Sequence, residues 1–285
     1  MAISTARKAI REAAMDDLGL FIPVAAIDGL DAGLFQVTIN KLRDASPNPD
    51  WLRDCFITAD GSTYRRVVNA AQLPILTLTD NVPNLGAGGA CGVYFLLTPE
   101  ESNAVIDRTL TSELHAPTRH EVALVVNQNE YVMPSDLQSR ADVLGLFFRD
   151  ASGNTPREDE VASVRWLESG NGLTAHLPNL PALVSNVTMV VLYKKRYSAL
   201  ASDTAVTSCP FDLAWRAAEV QLLNKIDNKF GPNTGQKFTK AWARADRELT
   251  KLKNMHMPPL VARDFTWDRE WDFIDITTEI LDGSW

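Results

Sequence analysis

Apolar side chains recur every three or four residues near the start of the chain, which is the spacing of a helix that buries one face. Residues 6–18 fit this pattern, and Gly19 follows them as a helix stop. A second apolar face runs from about Asp28 to Asp44, and the sequence Ser46-Pro-Asn-Pro49 ends it. The pattern therefore predicts an N-terminal helical pair within residues 1–46.

From about residue 51 to residue 198, apolar and polar side chains alternate with a period near two, which is typical of β-strands. Asp60-Gly61 lies between two of these stretches and predicts a hairpin, because both residues tolerate the positive φ of a tight turn. Many short strands without alternating helices predict an antiparallel β-sandwich or barrel-like domain. Strands are predicted at Cys55–Thr58, Tyr64–Val68, Ile75–Thr79, Val93–Leu97, Val122–Val126, Val143–Phe148, Val161–Leu167, Leu173–Leu177 and Val187–Tyr193.

One helix is predicted inside this β domain, at residues 98–111. Thr98 can cap it, Pro99 suits the first helical position, and Glu101 completes a capping box. These three residues predict where the helix begins.

Helical spacing returns in residues 205–256 and predicts a C-terminal helical pair. The sequence Gly231-Pro-Asn-Thr-Gly235 predicts the turn between the two helices, and Pro258-Pro259 ends the second. Apolar residues of the second helix recur at spacings of 4, 3, 4 and 3, which predicts a seam packed against another helix. The seam residues are Phe238, Trp242, Ala245, Leu249 and Leu252.

The predicted fold class is therefore α+β. The N- and C-terminal helical pairs, residues 1–46 and 205–256, are expected to pack together as one helical domain, since each needs an apolar partner. The antiparallel β domain, residues 51–198, is inserted between them in sequence. Residues 257–285 follow as an acidic, aromatic tail.

The composition is that of a packed globular protein. The chain has 285 residues, of which 45% are hydrophobic and 22% charged, and this excludes a disordered chain or a coiled-coil rod. No apolar run approaches the roughly 20 residues that span a bilayer, and charges from Arg11 onward leave no signal-peptide core. Cys55, Cys91 and Cys209 lie far apart, so we expect reduced, buried thiols.

The charge of the chain is unevenly distributed. The net charge is −8, which argues against a nucleic-acid-binding surface over the whole protein, because phosphate binding depends on Lys and Arg. Residues 236–254 carry six Lys and Arg against two acids, a net +4. Residues 260–285 carry seven acids against two Arg, a net −5. A basic helix before an acidic, aromatic tail predicts a docking segment, and the alternative is that the tail folds back on that helix.

No motif predicts catalysis, a cofactor or a metal ion. The glycines of Gly86–Gly92 precede a strand, whereas a phosphate cradle needs a helix N-terminus, so we expect a loop there. His115 and His120 lack the ligand spacing of a metal site, and their stretch is expected to be a surface connector. The Gly-x-Ser-x-Gly nucleophile motif does not occur.

Two short phrases and the order of elements carry a family resemblance. The phrases are Glu130-Tyr-Val-Met-Pro134 and the stretch Arg196–Pro210, which reads RYSALASDTAVTSCP. With N-terminal helices, a β domain and returning helices, the chain resembles the head-to-tail adaptor (neck or connector) proteins of tailed bacteriophages. The resemblance covers roughly Thr5 to Asn254.

The resemblance implies a structural virion protein with no enzymatic turnover. Family members form rings, commonly of twelve subunits, beneath the portal. The implied partners are further copies of the chain, the portal protein, the next neck or tail protein, and double-stranded DNA that passes through the lumen without sequence-specific binding. The implied location is the virion neck, after assembly in the host cytoplasm, with no membrane partner.

The tail carries the apolar anchors expected of a docking element. Two alternatives stay open: another virion component (a tail, baseplate or minor capsid protein), or a soluble enzyme with dispersed active-site residues. An enzyme would need a pocket with convergent polar groups. The candidate docking residues are Trp267, Trp271, Phe273, Ile274, Ile276 and Trp285.

Overall fold

The computed structural model describes residues 6–33, 35–45, 47, 49–60, 63–137, 139–149, 164–169, 172–177, 187–231, 234 and 236–257. The chain divides into two compact units. Met1–Leu114 with Tyr197–Leu252 make the first, and His115–Arg196 with Lys253–Trp285 make the second. The predicted β domain therefore contributes strands to both units. The mixed α+β class with antiparallel sheets is confirmed.

A seven-stranded antiparallel sheet lies in the first unit. Its strands are β1 (Phe21–Val24), β2 (Gly29–Leu30), β3 (Gln36–Thr38), β4 (Cys55–Thr58), β5 (Tyr64–Gln72), β6 (Ile75–Leu78) and β7 (Cys91–Phe95). They are ordered β1-β7-β4-β5-β6-β3-β2. β4 is buried at every position, as befits a strand covered on both faces.

The predicted helix over Asp28–Asp44 is wrong for most of its length. Residues 29–38 contain β2 and β3, and only α2 (Asn40–Ala45) is helical. The carboxylate of Asp31 accepts backbone N–H groups from Gly33 at 3.3 Å and Gln36 at 2.6 Å, which closes the turn between the strands. In β3, Val37 is buried while Gln36 is exposed, so the alternation of a strand prevails over the helical spacing.

Two helices of the first unit follow the sequence prediction closely. α1 (Arg7–Asp17) ends before Gly19, which takes the left-handed conformation with φ +69°. α3 (Pro99–Arg108) has the predicted capping box: Thr98 Oγ1 accepts from Glu101 N, and Glu101 Oε2 accepts from Thr98 N, each at 3.0 Å. Both start and stop signals are therefore confirmed.

The two C-terminal helices differ in how deeply they are buried. α4 (Phe211–Phe230) packs against α1 and α3 and buries about half of its residues. α5 (Thr239–His256) buries Ala245 and Leu249, with Phe238 just before it. Trp242, predicted to lie in a buried seam, is 41% exposed. Phe238 makes the aromatic contact at this end instead, stacked on Trp51 with ring centroids 5.4 Å apart.

The second unit contains two three-stranded antiparallel sheets. Their strands are β8 (His115–Ala123), β9 (Glu130–Val132), β10 (Val143–Arg149), β11 (Arg165–Ser169), β12 (Gly172–His176) and β13 (Thr188–Arg196). One sheet is ordered β10-β13-β8 and the other β11-β12-β9. Both contribute to one apolar core, which includes Phe148 and Val191 from the first sheet and Tyr131 and Leu173 from the second.

The predicted surface connector around His115 is wrong, because these residues form β8. The strand prediction at Val122–Val126 was placed too late in the sequence. β8 is an edge strand, where Pro117 is tolerated because its missing N–H takes no bond from the sheet. No helix among the described residues is long and apolar enough to cross a membrane.

The different burial of two apolar side chains leads to a test of the helical packing. We expect Ile10→Ala to lower the free energy of unfolding by about 2–5 kcal/mol, because Ile10 is fully buried in α1. Trp242→Ala should cost less than about 1 kcal/mol. Denaturant unfolding followed by circular dichroism measures both. An equal loss in the two variants would contradict the exposure of Trp242.

Candidate functional site

A fully buried arginine lies at the centre of the first unit. Arg11, on α1, is 0% exposed. Its Nη1 forms an ion pair with Asp203 Oδ2 at 2.8 Å and donates to Asn103 Oδ1 at 2.7 Å. Its Nε donates to the hydroxyl of Tyr94 at 3.2 Å. A buried guanidinium is tolerated only when it is paired, so these partners are required for folding.

Arg7 extends this arrangement by one helical turn. Its Nε pairs with Asp203 Oδ1 at 3.2 Å, and its Nη1 pairs with Asp107 Oδ2 at 3.1 Å. The same Nη1 donates to the carbonyl of Leu200 at 2.7 Å. Two arginines thus face two carboxylates. The side chains of Arg7, Arg11, Asn103, Asp107 and Asp203 are called the buried joint.

The backbone of the connector before α4 is part of the same contact. Arg7 N donates to Ala205 O at 3.2 Å, and Lys8 N donates to Asp203 O at 3.1 Å. The first N–H groups of a helix have no acceptor within the helix, so these carbonyls supply what α1 lacks. The connector therefore fixes the beginning of α1 through both side chains and backbone.

A second charged cluster lies where α1 ends against α4 and α5. Arg216 pairs with Asp17 at 2.8 Å, with Glu219 and with Glu248. Arg244 pairs with Asp17 and approaches Glu219 at 3.7 Å. These five residues are called the helix-end cluster. Its three acids exceed its two arginines, so one negative charge is left uncompensated within it.

Glu219 is the fully buried acid of this cluster. Its side chain is 0% exposed. Burial, opposed by Arg216 and reinforced by Asp17, raises the pKa of Glu219 to about 7. The carboxyl group therefore changes its charge near neutral pH. Glu219 lies among helices and contacts the arginines of the helix-end cluster. Its change of charge therefore affects the stability of the fold.

A cleft of about 340 Å³ opens beside α1 and the strands β1, β4 and β7. Burial raises the pKa of Glu12, and Lys8 lies 3.8 Å from it. Burial also raises the pKa of Cys91 to about 12, so the thiol is protonated at neutral pH and is a poor nucleophile. The cleft is lined by Lys8, Glu12, Phe21, Lys41, Thr58 and Cys91, among others.

The glycine-rich stretch lies at the start of β7, and the two histidines of the predicted connector lie on β8. Gly86–Gly92 contains the loop before β7 and its first residues, and Gly89 N donates to Gly86 O at 2.8 Å in a tight turn. His115 and His120 are five residues apart on β8, so they face opposite sides of the sheet. Among the described residues, no three His, Cys, Asp or Glu side chains are grouped to hold a metal ion.

Another candidate region is the exposed face of α5, the helix that contains most of the basic segment 236–254. Lys240, Arg244, Arg247 and Lys251 recur at spacings of 4, 3 and 4, which places them on one face of the helix. All four are exposed. They are called the cationic stripe. The predicted docking residues Trp267, Trp271, Phe273, Ile274, Ile276 and Trp285 lie outside the described residues.

No protein-family model matches this chain, and no curated protein matches it. The function therefore has to be argued from the residues themselves. Sequence reasoning missed the buried joint, because Arg11 and Asp203 are far apart in sequence. A signal was present: Arg7 and Arg11 share the helical face of Ala14 and Leu18, where an apolar residue would be expected.

The buried joint can be tested by removing its shared acceptor. We expect Asp203→Ala to lower the free energy of unfolding by about 3–5 kcal/mol, because it leaves two arginines short of a partner. Asp80→Ala is the matched control, since Asp80 is exposed and lies 3.8 Å from Arg65; it should change stability by less than about 0.5 kcal/mol. Denaturant titration measures both variants, and a mild loss for Asp203→Ala would contradict the joint.

Glu219 predicts a pH dependence of stability. A carboxyl group whose pKa is raised to about 7 on folding binds its proton more tightly in the folded state. Its contribution is therefore most favourable below its unfolded pKa and is lost as pH rises through about 7. We expect Glu219→Gln to match the native chain at pH 5 and to exceed its stability by roughly 1–3 kcal/mol at pH 8. The same difference in unfolding free energy between the two chains at pH 5 and at pH 8 would contradict this.

Proposed function

We propose that this chain is a head-to-tail adaptor of a tailed bacteriophage, a structural protein whose copies form a ring between portal and tail. The observation that carries the proposal is the place of the stretch Arg196–Pro210, on which the resemblance rests. Its residues Leu200, Asp203 and Ala205 accept the hydrogen bonds of α1 in the buried joint. A stretch that binds α1 in this way has a structural reason to be similar in proteins with the same order of elements.

The packing of the chain's two ends supports the finer architecture that the family implies. α1 contacts α4, and this contact supports the proposal that N- and C-terminal helices form one layer. In the proposed arrangement, the strands between them are inserted into this helical layer. The second predicted helix of the N-terminal pair has no part in it, because residues 29–38 contain strands.

A ring needs surfaces that bind unlike surfaces on the neighbouring copy. Leu167, Thr174 and Val132 lie directly opposite one another across β11, β12 and β9, so their side chains share one face. Val132 is 74% exposed and Leu167 is 46% exposed. We propose that this row contacts the neighbouring copy, since exposed apolar residues in a row are typical of interfaces.

The proposed partners at the two faces of the ring are the portal protein and the next neck or tail protein. DNA would pass through the lumen without sequence-specific contacts. The net charge of −8 supports this passage, because an acidic protein neutralises few phosphates. The proposed location is the neck of the virion. The tail is the proposed docking segment through its aromatic residues.

Mass photometry and negative-stain imaging test the proposal. The purified chain is examined alone and mixed with tailless heads of the phage that encodes it. We expect closed rings, or capture at a single vertex of the heads. A monomer that ignores the heads contradicts the proposal, and binding elsewhere on the particle would indicate another virion component.

A paired variant tests the proposed row. Val132→Glu/Leu167→Glu should prevent ring closure while the circular dichroism spectrum is unchanged, because two carboxylates would be buried without partners at the interface. Val206→Glu is the control, since Val206 is 67% exposed and lies outside the row. Rings that form equally with the double variant would show that the row is not the contact.

A further inference from the structure

The positive charge of the cationic stripe is only partly neutralised by acids of the described residues. Arg244 pairs with Asp17, but Lys240, Arg247 and Lys251 have no ion-pair partner among the described residues. The pairs Lys240–Arg244 and Arg247–Lys251 are like charges at i,i+4, which destabilise a helix. An external anion on this face would remove that repulsion.

The tail contains acids at a matching spacing. Six of them recur at intervals of 4, 4, 3, 4 and 3, the spacing that puts side chains on one face of a helix. The stripe runs from Lys240 to Lys251, which is about 16 Å of helix, and the acids are spread over a longer stretch of sequence. A face of carboxylates can therefore cover the whole stripe. The six acids are Asp264, Asp268, Asp272, Asp275, Glu279 and Asp282.

We infer that the acidic face of residues 264–282 from one copy binds the cationic stripe on α5 of the neighbouring copy. The inference rests on the proposed function in one respect, since it needs copies of the chain to associate. It names the partner of the tail: a second copy of this chain, held by carboxylate-to-Lys and carboxylate-to-Arg pairs.

The sequence at the end of α5 favours the neighbouring copy over the same copy. Pro258 and Pro259 follow the helix after a single residue, Met257. Proline disfavours the helical conformation in the residue before it and fixes its own φ, so two in succession favour an extended stretch. This preference of the sequence favours a tail that binds a neighbouring copy over a tail that turns back onto its own stripe.

Double-stranded DNA is the competing anion, and it fits the stripe less well. The whole chain has a net charge of −8, which repels a polyanion at long range. The tail, with a net charge of −5 over residues 260–285, is part of every copy. Its effective concentration near the stripe of a neighbouring copy in a ring is therefore high. These two facts favour the tail.

Charge reversal tests the electrostatic part of the inference. Arg247→Glu/Lys251→Glu should weaken self-association at least tenfold at low salt, measured by sedimentation velocity. Asp268→Lys/Asp272→Lys should do the same, and the two changes in one chain should restore association. Arg108→Glu/Lys225→Glu is the matched control, since it reverses one exposed Arg and one exposed Lys away from α5. Equal loss in the control, or no rescue by the combined variant, would overturn the inference.

Cross-linking tests which copy provides the tail. Lys251→Cys and Asp268→Cys are placed in separate chains with different tags, mixed, and treated with a short bismaleimide. The native thiols are buried, and burial raises the pKa of Cys91 and Cys209 to about 12, so the introduced thiols react selectively. We expect a cross-linked dimer that carries both tags.

The outcomes separate this inference from the proposed function. Rings on tailless heads without the mixed cross-link would leave the adaptor proposal standing and overturn the inference. Mixed cross-links without rings would support the inference and count against the adaptor. Cross-links found only within a chain that carries both cysteines would mean that the tail covers its own helix. Loss of binding to a DNA fragment in Arg247→Glu/Lys251→Glu, with self-association unchanged, would assign the stripe to DNA and overturn the inference.

Discussion

The ion pairs of Arg7 and Arg11 with Asp203 are the contact on which the first unit depends. A guanidinium that is fully removed from water is costly unless carboxylates and hydrogen bonds replace the water. Arg11 reaches that state only when α1, α3, β7 and the connector before α4 are all in place, because each supplies one partner. A single buried charge thus makes four distant segments depend on one another. It joins α1 to the connector before α4.

The other end of α1 is held by charges of a different kind. At the buried joint, two arginines face two carboxylates, whereas the helix-end cluster has one acid too many. Burial, opposed by Arg216 and reinforced by Asp17, raises the pKa of Glu219, while the half-exposed Arg244 connects the cluster to α5. α1 is therefore fixed firmly at its beginning and in a pH-dependent way at its end.

Local rules were enough for much of the fold, and long-range ones were needed for the rest. The capping box of Thr98 and Glu101 and the short apolar run of β4 depend on neighbours in sequence, so both were predicted correctly. The segment around Val37 was misjudged because its apolar residues fit both periods, and the turn at Asp31 decides between them. The buried joint was out of reach, since no local pattern says that Arg11 will meet Asp203.

Charge is distributed in this chain according to what each part has to do. Inside the first unit, cations and acids are matched at the buried joint, where an unpaired charge would strongly destabilise the fold. At the exposed face of α5, Lys240, Arg247 and Lys251 have no ion-pair partner among the described residues, and acids at a matching spacing occur in the tail. Solvent tolerates such a separation in a single copy. In the proposed assembly, association of copies would remove this separation, by the same electrostatic rule that pairs the charges of the buried joint.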